Sequence, residues 1–151
     1  MKTTRRDALK TTGALATLVS LGIITQSQAH AALDRASFEG KTLADALKAV
    51  GGTPATSDQV TVVAPDIAEN GAVVPVGATS KIPNTTEIYL IVEKNPTPMA
   101  AGFKIPAGTA ADVQTRIKMG QSSNVFAVVK ADGKLFSAFK ETKVTLGGCG
   151  G

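Results

Sequence analysis

With 151 residues, of which 43% are hydrophobic and 19% charged, the chain is long enough for one ordinary domain and too short for two. The formal net charge is +4, but four of the sixteen Lys and Arg residues lie within the first ten positions and the others are scattered singly. A nucleic-acid-binding protein concentrates its basic residues in one run or on one face, so the charge pattern argues against a nucleic-acid partner.

The first 31 residues have the organisation of an export signal. A basic segment, Lys2–Lys10, precedes an apolar run, Gly13–Ile24. This run is too short to span a bilayer as a helix, which disfavours a membrane anchor that stays attached, and it has the length of a signal-peptide apolar region. Ala29-His30-Ala31 supplies a small-x-small cleavage pattern. Residues 1–31 are therefore predicted to be cleaved, leaving no membrane segment.

The export signal resembles a twin-arginine signal. Arg5 and Arg6 are followed by Asp7, although Ala8 stands where that motif usually has phenylalanine. Twin-arginine export generally carries proteins that are already folded. The resemblance therefore implies a periplasmic protein with a cytoplasmic assembly step before export, as expected either for a cofactor-bearing enzyme or for a chain bound to a signal-less partner.

The mature chain lacks the residues that most catalytic and metal sites require. His30 is the only histidine and leaves with the signal, and Cys149 is the only cysteine. A nucleophile activated by histidine is therefore excluded, as are metal sites built from His and Cys. No phosphate-binding glycine motif is present. A glycosidase site needs two carboxylates that meet in space, which a sequence does not exclude, but the chain has few aromatic residues to line a sugar cleft. Chemistry is expected to run through the thiol or through a partner.

The elements that follow the signal predict an all-β domain over residues 32–146. Lys41–Val50 has apolar residues at helical spacing and ends at Gly51-Gly52, which predicts a short N-terminal helix. The predicted strands are Gln59–Val63, Ala72–Val76, Glu87–Glu93, Met99–Ile105, Asp112–Lys118, Ser123–Lys130 and Leu135–Leu146. About seven strands with frequent turn signals favour an immunoglobulin-like β-sandwich, and Asp132-Gly133 is typical of a two-residue hairpin turn.

Two strands carry more specific expectations. Pro75 has no N–H to donate to a ladder, so its strand should have an edge or a bulge at that point. Ile88–Val92 is apolar on both faces, which is typical of a strand buried on both sides. The second face is expected to lie under a loop or the N-terminal helix, and the alternative is a permanent partner that covers it.

The chain ends in a glycine-rich segment around its single thiol. Gly147, Gly148, Gly150 and Gly151 flank Cys149, and glycine loses the most entropy on ordering, so a flexible C-terminal arm is predicted. Five extended residues reach about 17 Å, far enough to carry the thiol into another protein's pocket. An incidental cysteine on a frayed terminus is the alternative, but an exposed thiol in an oxidising compartment is prone to oxidation. The pattern favours a covalent carrier.

This ending resembles that of the SoxY family, carrier proteins of the periplasmic sulfur-oxidation (Sox) pathway that end in the same pentapeptide. The similarity extends through the mature domain. The landmarks that look like the family's are Ala68-Glu69-Asn70-Gly71 with Val74-Pro75-Val76, Lys94-Asn95-Pro96 with Pro98, and Arg116-Ile117-Lys118-Met119. The twin-arginine-like signal agrees with the same family.

The resemblance implies a function, a site and a set of partners. Cys149 would hold sulfur intermediates of thiosulfate oxidation covalently, on an arm of Gly147, Gly148, Gly150 and Gly151. The chain would form a heterodimer with a SoxZ-like subunit and present its cargo to the haem, thiohydrolase and dehydrogenase enzymes of the pathway. It would hold no cofactor or metal of its own and would not be an enzyme.

Two other functions stay open on the residues alone. The chain is compatible with a SoxY-like carrier in another redox pathway, where the thiol holds a different group. It is also compatible with a noncatalytic periplasmic binding module whose Cys149 forms an intermolecular disulfide.

Overall fold

The computed structural model describes residues 38–145. The predicted export signal, with Arg5 and Arg6, lies outside the described residues. So does the predicted arm, which comprises Gly147, Gly148, Cys149, Gly150 and Gly151. Within the described range, no helix is long and apolar enough to cross a membrane.

The predicted N-terminal helix is present as α1, Leu43–Val50. Thr42 is its N-cap, in extended conformation, and forms a capping box with Asp45: each side chain accepts a hydrogen bond from the other residue's backbone N–H. This reciprocal cap satisfies donors that the first helical turn leaves without partners. The helix therefore begins two residues later than Lys41. It ends at Gly51, whose φ of 128° suits a residue without a side chain.

Nine strands follow α1, and all seven predicted strands are among them. Their bounds are β1 Ala55–Thr56, β2 Val60–Val63, β3 Ile67–Ala68, β4 Val74–Ser80, β5 Thr85–Val92, β6 Met99–Lys104, β7 Asp112–Ile117, β8 Ser123–Ala131 and β9 Lys134–Val144. The prediction missed β1 and β3, which have two residues each. It also placed β4 too early, because Ala72 and Val73 donate backbone hydrogen bonds to Asn70 within a turn.

The strands form two sheets. One has the order β1-β9-β8-β5-β6, with β3 also pairing with β9, and the other has the order β2-β4-β7. All pairs are antiparallel except those of β1 and β3 with β9, which are parallel. Asp132 and Gly133 both have positive φ in the β8–β9 connection, as a two-residue hairpin turn requires.

The main core lies between the two sheets. Alternate residues of β5, Ile88, Leu90 and Val92, are fully buried there together with side chains of β2, β4, β7 and β8. Apolar side chains from the facing sides of two sheets fill the interior of a sandwich in this way. The described domain is thus the predicted all-β, immunoglobulin-like sandwich.

The second apolar face of β5 is covered by α1. Ile91 is fully buried and clusters with Ala46 and Val50 of the helix, with Met99 and with Val128. The expectation that the N-terminal helix covers this face is confirmed. A permanent partner is not needed to bury Ile91, so that interpretation of the Ile88–Val92 strand is wrong.

Pro75 lies where β4 has a neighbour on one side only. It pairs with Arg116 of β7, whereas β2 pairs with the second half of β4, from Gly77 to Ser80. The missing N–H of the proline therefore costs the sheet no interior hydrogen bond, as predicted for a local edge.

Candidate functional site at the base of the arm

The last residues of β9 are held on both sides up to Thr145, the final described residue. We call Thr142–Thr145 the arm base. On one side Thr142 pairs with Ser123 of β8, and on the other Lys143 and Val144 pair with β3. Beyond the strand, the Thr145 N–H donates to the Ala68 carbonyl at 3.1 Å. The arm therefore starts from a fixed point, four residues before Cys149.

Side chains add to this anchoring. Thr142 is fully buried, and its hydroxyl donates to the Pro65 carbonyl at 2.9 Å. The Ser122 hydroxyl accepts the Val144 N–H at 2.9 Å. Lys140 donates to the Ala64 carbonyl at 2.7 Å and pairs with Asp66 at 3.0 Å. The segment that precedes β3 is thus tied to the edge of β9.

Gly71 joins the arm base to the β7–β8 connection. The Met119 N–H donates to the Gly71 carbonyl at 2.7 Å. A Cβ added to Gly71 would collide with the Met119 carbonyl oxygen and would lie 2.9 Å from Val144 Cγ1. Glycine therefore permits a close approach of three chain segments here, and Met119 itself is buried.

Asn95 fixes the other side of the same connection. Its side-chain amide donates to the Lys118 carbonyl at 2.7 Å, and its oxygen accepts the Gly120 N–H at 3.1 Å. The neighbouring Lys94 N–H donates to the buried Ser123 hydroxyl at 3.0 Å. One asparagine thus holds both ends of a turn, which fixes the position of the Lys118 backbone.

These contacts bring the three sets of family-like landmarks together. The segments 68–71, 94–96 and 116–119 are separated by 22 and 19 residues of sequence. They meet around the arm base through the hydrogen bonds of Asn95, Met119 and Thr145. The sequence identified each segment, but it did not predict that they converge. Asn95 carries no sequence signal beyond that of a turn residue beside prolines.

A cleft of about 280 Å³ opens between the start of β6 and the end of β7, beside this connection. We call it the cationic cleft, because its charged lining residues are Arg116 and Lys118 and no carboxylate lines it. Its full lining is Asn95, Thr97, Met99, Ala100, Arg116, Ile117 and Lys118.

A larger cavity of about 380 Å³ lies at the opposite end of the sandwich. It is bordered by the end of β4, the start of β5 and the loop between β6 and β7, and Lys81 is the one charged residue in its lining. No residue singled out for function lies there. Among residues 38–145, no three His, Cys, Asp or Glu side chains are grouped as a metal site would require.

The predicted attachment residue, Cys149, and the four arm glycines lie beyond Thr145 and outside the described residues, so their roles stay predictions. The structure does describe the point from which they extend. It also shows three residues near the site that the sequence analysis did not single out individually: Gly71, Asn95 and Thr142.

Comparison with known proteins identifies the family. The family model described as "Sulfur oxidation protein SoxY" matches residues 46–149, a range that includes Cys149. The sulfur carrier protein SoxY from Chlorobium limicola f thiosulfatophilum is similar in structure, with 38% identity and a TM-score of 0.63, over 70% of this chain and 97% of that one.

Other similarities are weaker. A chain of the structure described as "Structural basis of T cell specificity and activation by the bacterial superantigen toxic shock syndrome toxin-1" has a TM-score of 0.41 at 10% identity, covering 57% of this chain and 99% of that one. The human F-spondin reeler domain has a TM-score of 0.38 at 11% identity, covering 62% and 93%. No curated protein sequence matches the chain. The family match and the similarity to the Chlorobium structure together show that the chain belongs to the SoxY family of sulfur oxidation proteins.

Proposed function

We propose that this SoxY-family chain carries sulfur intermediates of thiosulfate oxidation on the thiol of Cys149. The observation that supports the attachment residue is the family match, which runs to residue 149. Gly147, Gly148, Gly150 and Gly151 form the arm in this proposal, and the anchored arm base at Thr145 is its fixed end.

The carrier chemistry consists of three steps. In the first, the Cys149 thiol and thiosulfate form a sulfur–sulfur bond to give a thiosulfonate adduct, with release of one proton and two electrons. A haem enzyme of the pathway accepts those electrons. In the second, a thiohydrolase adds water to the terminal sulfonate, which leaves as sulfate with one proton, and a persulfide stays on Cys149. In the third, a dehydrogenase oxidises the outer persulfide sulfur to a sulfonate: three waters supply the oxygen atoms, the dehydrogenase accepts six electrons, and seven protons are released. The new sulfonate is then open to another hydrolysis.

In this scheme the chain presents the substrate and the partners catalyse. No histidine is available to the mature chain for acid–base work, so we propose that it is not an enzyme and holds no cofactor. Tethering raises the effective concentration of the intermediate at each partner. Recognition by several different enzymes then depends on the arm and on the surface around the arm base.

We further propose a heterodimer with a SoxZ-like subunit and export to the periplasm through Arg5 and Arg6. The support is membership of the SoxY family together with the twin-arginine-like sequence of residues 1–31. Because α1 already covers Ile91, the partner subunit is not needed to bury that side chain.

The attachment residue is tested with the chain assembled with its SoxZ-like subunit and mixed with the purified Sox enzymes and thiosulfate. Intact-mass spectrometry should show a reductant-labile thiosulfonate on the C-terminal peptide of the wild-type chain. Cys149→Ser should abolish both the adduct and sulfate production. Lys81→Gln, at the opposite end of the sandwich, is the control and should behave as the wild type. Undiminished sulfate production by Cys149→Ser would refute the proposal.

A further inference from the structure

The two cations of the cationic cleft have no counter-ion within the described residues. Arg116 and Lys118 make no ion pair with any carboxylate of residues 38–145, and only uncharged residues complete the lining. Both side chains are exposed. The cleft is therefore a local concentration of positive charge in a domain with nearly balanced charges.

The cleft also has the shape and the donors that an oxyanion requires. Its volume of about 280 Å³ exceeds by far the ~30 Å³ that one water occupies in the liquid. The Arg116 guanidinium presents several N–H donors in a planar fork, which matches the geometry of oxyanions. The Lys118 ammonium adds a point charge, and the exposed Thr97 hydroxyl adds a neutral donor.

The arm base lies close enough for the arm to reach this cleft. Lys118 precedes Met119, whose carbonyl meets Gly71 at the point where Val144 Cγ1 also packs. Lys118 is therefore the sequence neighbour of Met119, which lies close to Val144 of the arm base. Four extended residues from Thr145 to Cys149 span about 13–14 Å, and the adduct's two further sulfur atoms lengthen that reach.

From these observations we propose that the cationic cleft binds the terminal sulfonate of the thiosulfonate adduct on Cys149 while the carrier travels between enzymes. The inference rests on the proposed function, since it requires the adduct. It assigns Arg116 and Lys118 as the residues that contact the sulfonate, with Thr97 as an additional donor. Binding here holds the adduct against the domain, where its sulfur–sulfur bond is less accessible to thiols.

The cleft would also distinguish the states of the carrier. The thiosulfonate ends in an anionic group with three oxygens that can bind several donors at once. The free thiol has no such group, and the persulfide left after hydrolysis ends in a single sulfur. Only the sulfonate-bearing state is therefore held, and hydrolysis to sulfate releases the arm from the cleft.

The test does not need the Sox enzymes. Tetrathionate reacts with the thiol of Cys149 to give the same thiosulfonate: the new sulfur–sulfur bond replaces the central one of tetrathionate, and thiosulfate leaves with the electron pair as one proton is released. Tetrathionate is itself the two-electron oxidant, so no other oxidant is needed. As Cys149 is the only cysteine, the adduct forms at one position. This keeps the inference separate from the proposed function, which is tested by turnover with the enzymes.

The first readout is the amide NMR spectrum of the mature chain before and after loading with tetrathionate. We expect loading to shift the amide signals of Asn95, Thr97 and residues 116–118, and these shifts to disappear in the Arg116→Gln/Lys118→Gln double variant. Lys81→Gln, in the other cavity, should retain them. Shifts confined to residues next to the arm base, with none in the cleft, would overturn the proposal.

The second readout is the rate at which a neutral thiol, 2-mercaptoethanol, removes the adduct at low salt. Exposed charge pairs are individually weak, so the double variant should lose the adduct about three- to tenfold faster than the wild type and Lys81→Gln. Added salt should remove this difference. Equal rates in all three proteins would contradict the proposal.

A free anion is the competing ligand, and Cys149→Ser distinguishes it. Inorganic sulfate titrated into this variant should shift the same cleft amides only at concentrations far above about 1 mM, because the tether supplies an effective concentration in the millimolar range. Saturation by sulfate below about 1 mM would show a site for free oxyanions and would overturn the assignment to the tethered adduct.

Discussion

Gly71 shows how a single residue determines the geometry of the arm base. The sequence marks it only as the end of a family-like landmark. In the structure it is buried against the Met119 carbonyl and Val144, and it has no positive φ that would by itself require glycine. Glycine is required at this position only because there is no room for a Cβ. A local sequence pattern does not show how closely segments distant in sequence approach one another.

Gly71→Ala is expected to destabilise the domain. The added Cβ meets a backbone carbonyl, which cannot move aside as a flexible side chain would, and overpacking of this kind costs about 1–3 kcal/mol. Urea unfolding should show this decrease in the free energy of unfolding. Gly120→Ala is the matched control, since a Cβ there contacts nothing within 4 Å. A Gly71→Ala protein as stable as the control would show that the three segments can separate without cost.

The elements that were predicted best are those with a local signal. Helix α1 has apolar spacing, and the turn at Asp132-Gly133 needs only two residues with positive φ. The short strands β1 and β3 have no such pattern, because they exist only through parallel pairing with β9. The choice between helix and partner over Ile91 likewise depended on tertiary packing, which local sequence does not specify.

The cap of α1 is expected to contribute measurably to stability. Thr42→Ala removes the side-chain oxygen that accepts the Asp45 N–H at 3.1 Å, and loss of such a cap costs about 1 kcal/mol. The lost cap stabilises α1, which packs on Ile91 and Met99. Amide hydrogen exchange should therefore accelerate in α1 before it does in the strands. Thr53→Ala, in the loop after the helix, is the control; an equal loss in both variants would show that the cap contributes nothing specific.

The same cap should make α1 sensitive to acid. The side-chain hydrogen bond with Thr42, and then the Lys41 N–H, hold the pKa of the Asp45 carboxyl below its usual 3.8. A lowered folded-state pKa means that the stabilisation is complete above the unfolded-state pKa and is lost as the pH falls through the folded value. The difference in free energy of unfolding between wild type and Asp45→Asn should therefore be constant above about pH 5 and shrink below about pH 4. A difference that does not change with pH would contradict this.

At the scale of the whole molecule, some features can be identified from the sequence and others only from the structure. Cys149 between glycines stands out in the sequence because the chain has no second cysteine and its one histidine lies within the predicted export signal. The convergence of segments 68–71, 94–96 and 116–119 at the arm base does not stand out, because it depends on the register of strands from both sheets. The cationic cleft belongs to the same class of feature, since Thr97 and Lys118 become neighbours only when β6 and β7, which are edge strands of different sheets, come close together.

Deleting residues 147–151 should separate folding from function. Residues 38–145, which the structure describes, already supply a packed core and the hydrogen bonds that anchor β9. We therefore expect the free energy of unfolding to change by less than about 0.5 kcal/mol, as for surface changes away from packed features. Sulfur loading should nevertheless be lost completely, as in Cys149→Ser, which keeps the arm and controls for its presence. Urea unfolding and intact-mass spectrometry measure the two effects. If the deletion lowered stability by more than about 1 kcal/mol while Cys149→Ser did not, the arm would be part of the folded domain, and the division into a rigid base and a separate carrier segment would be wrong.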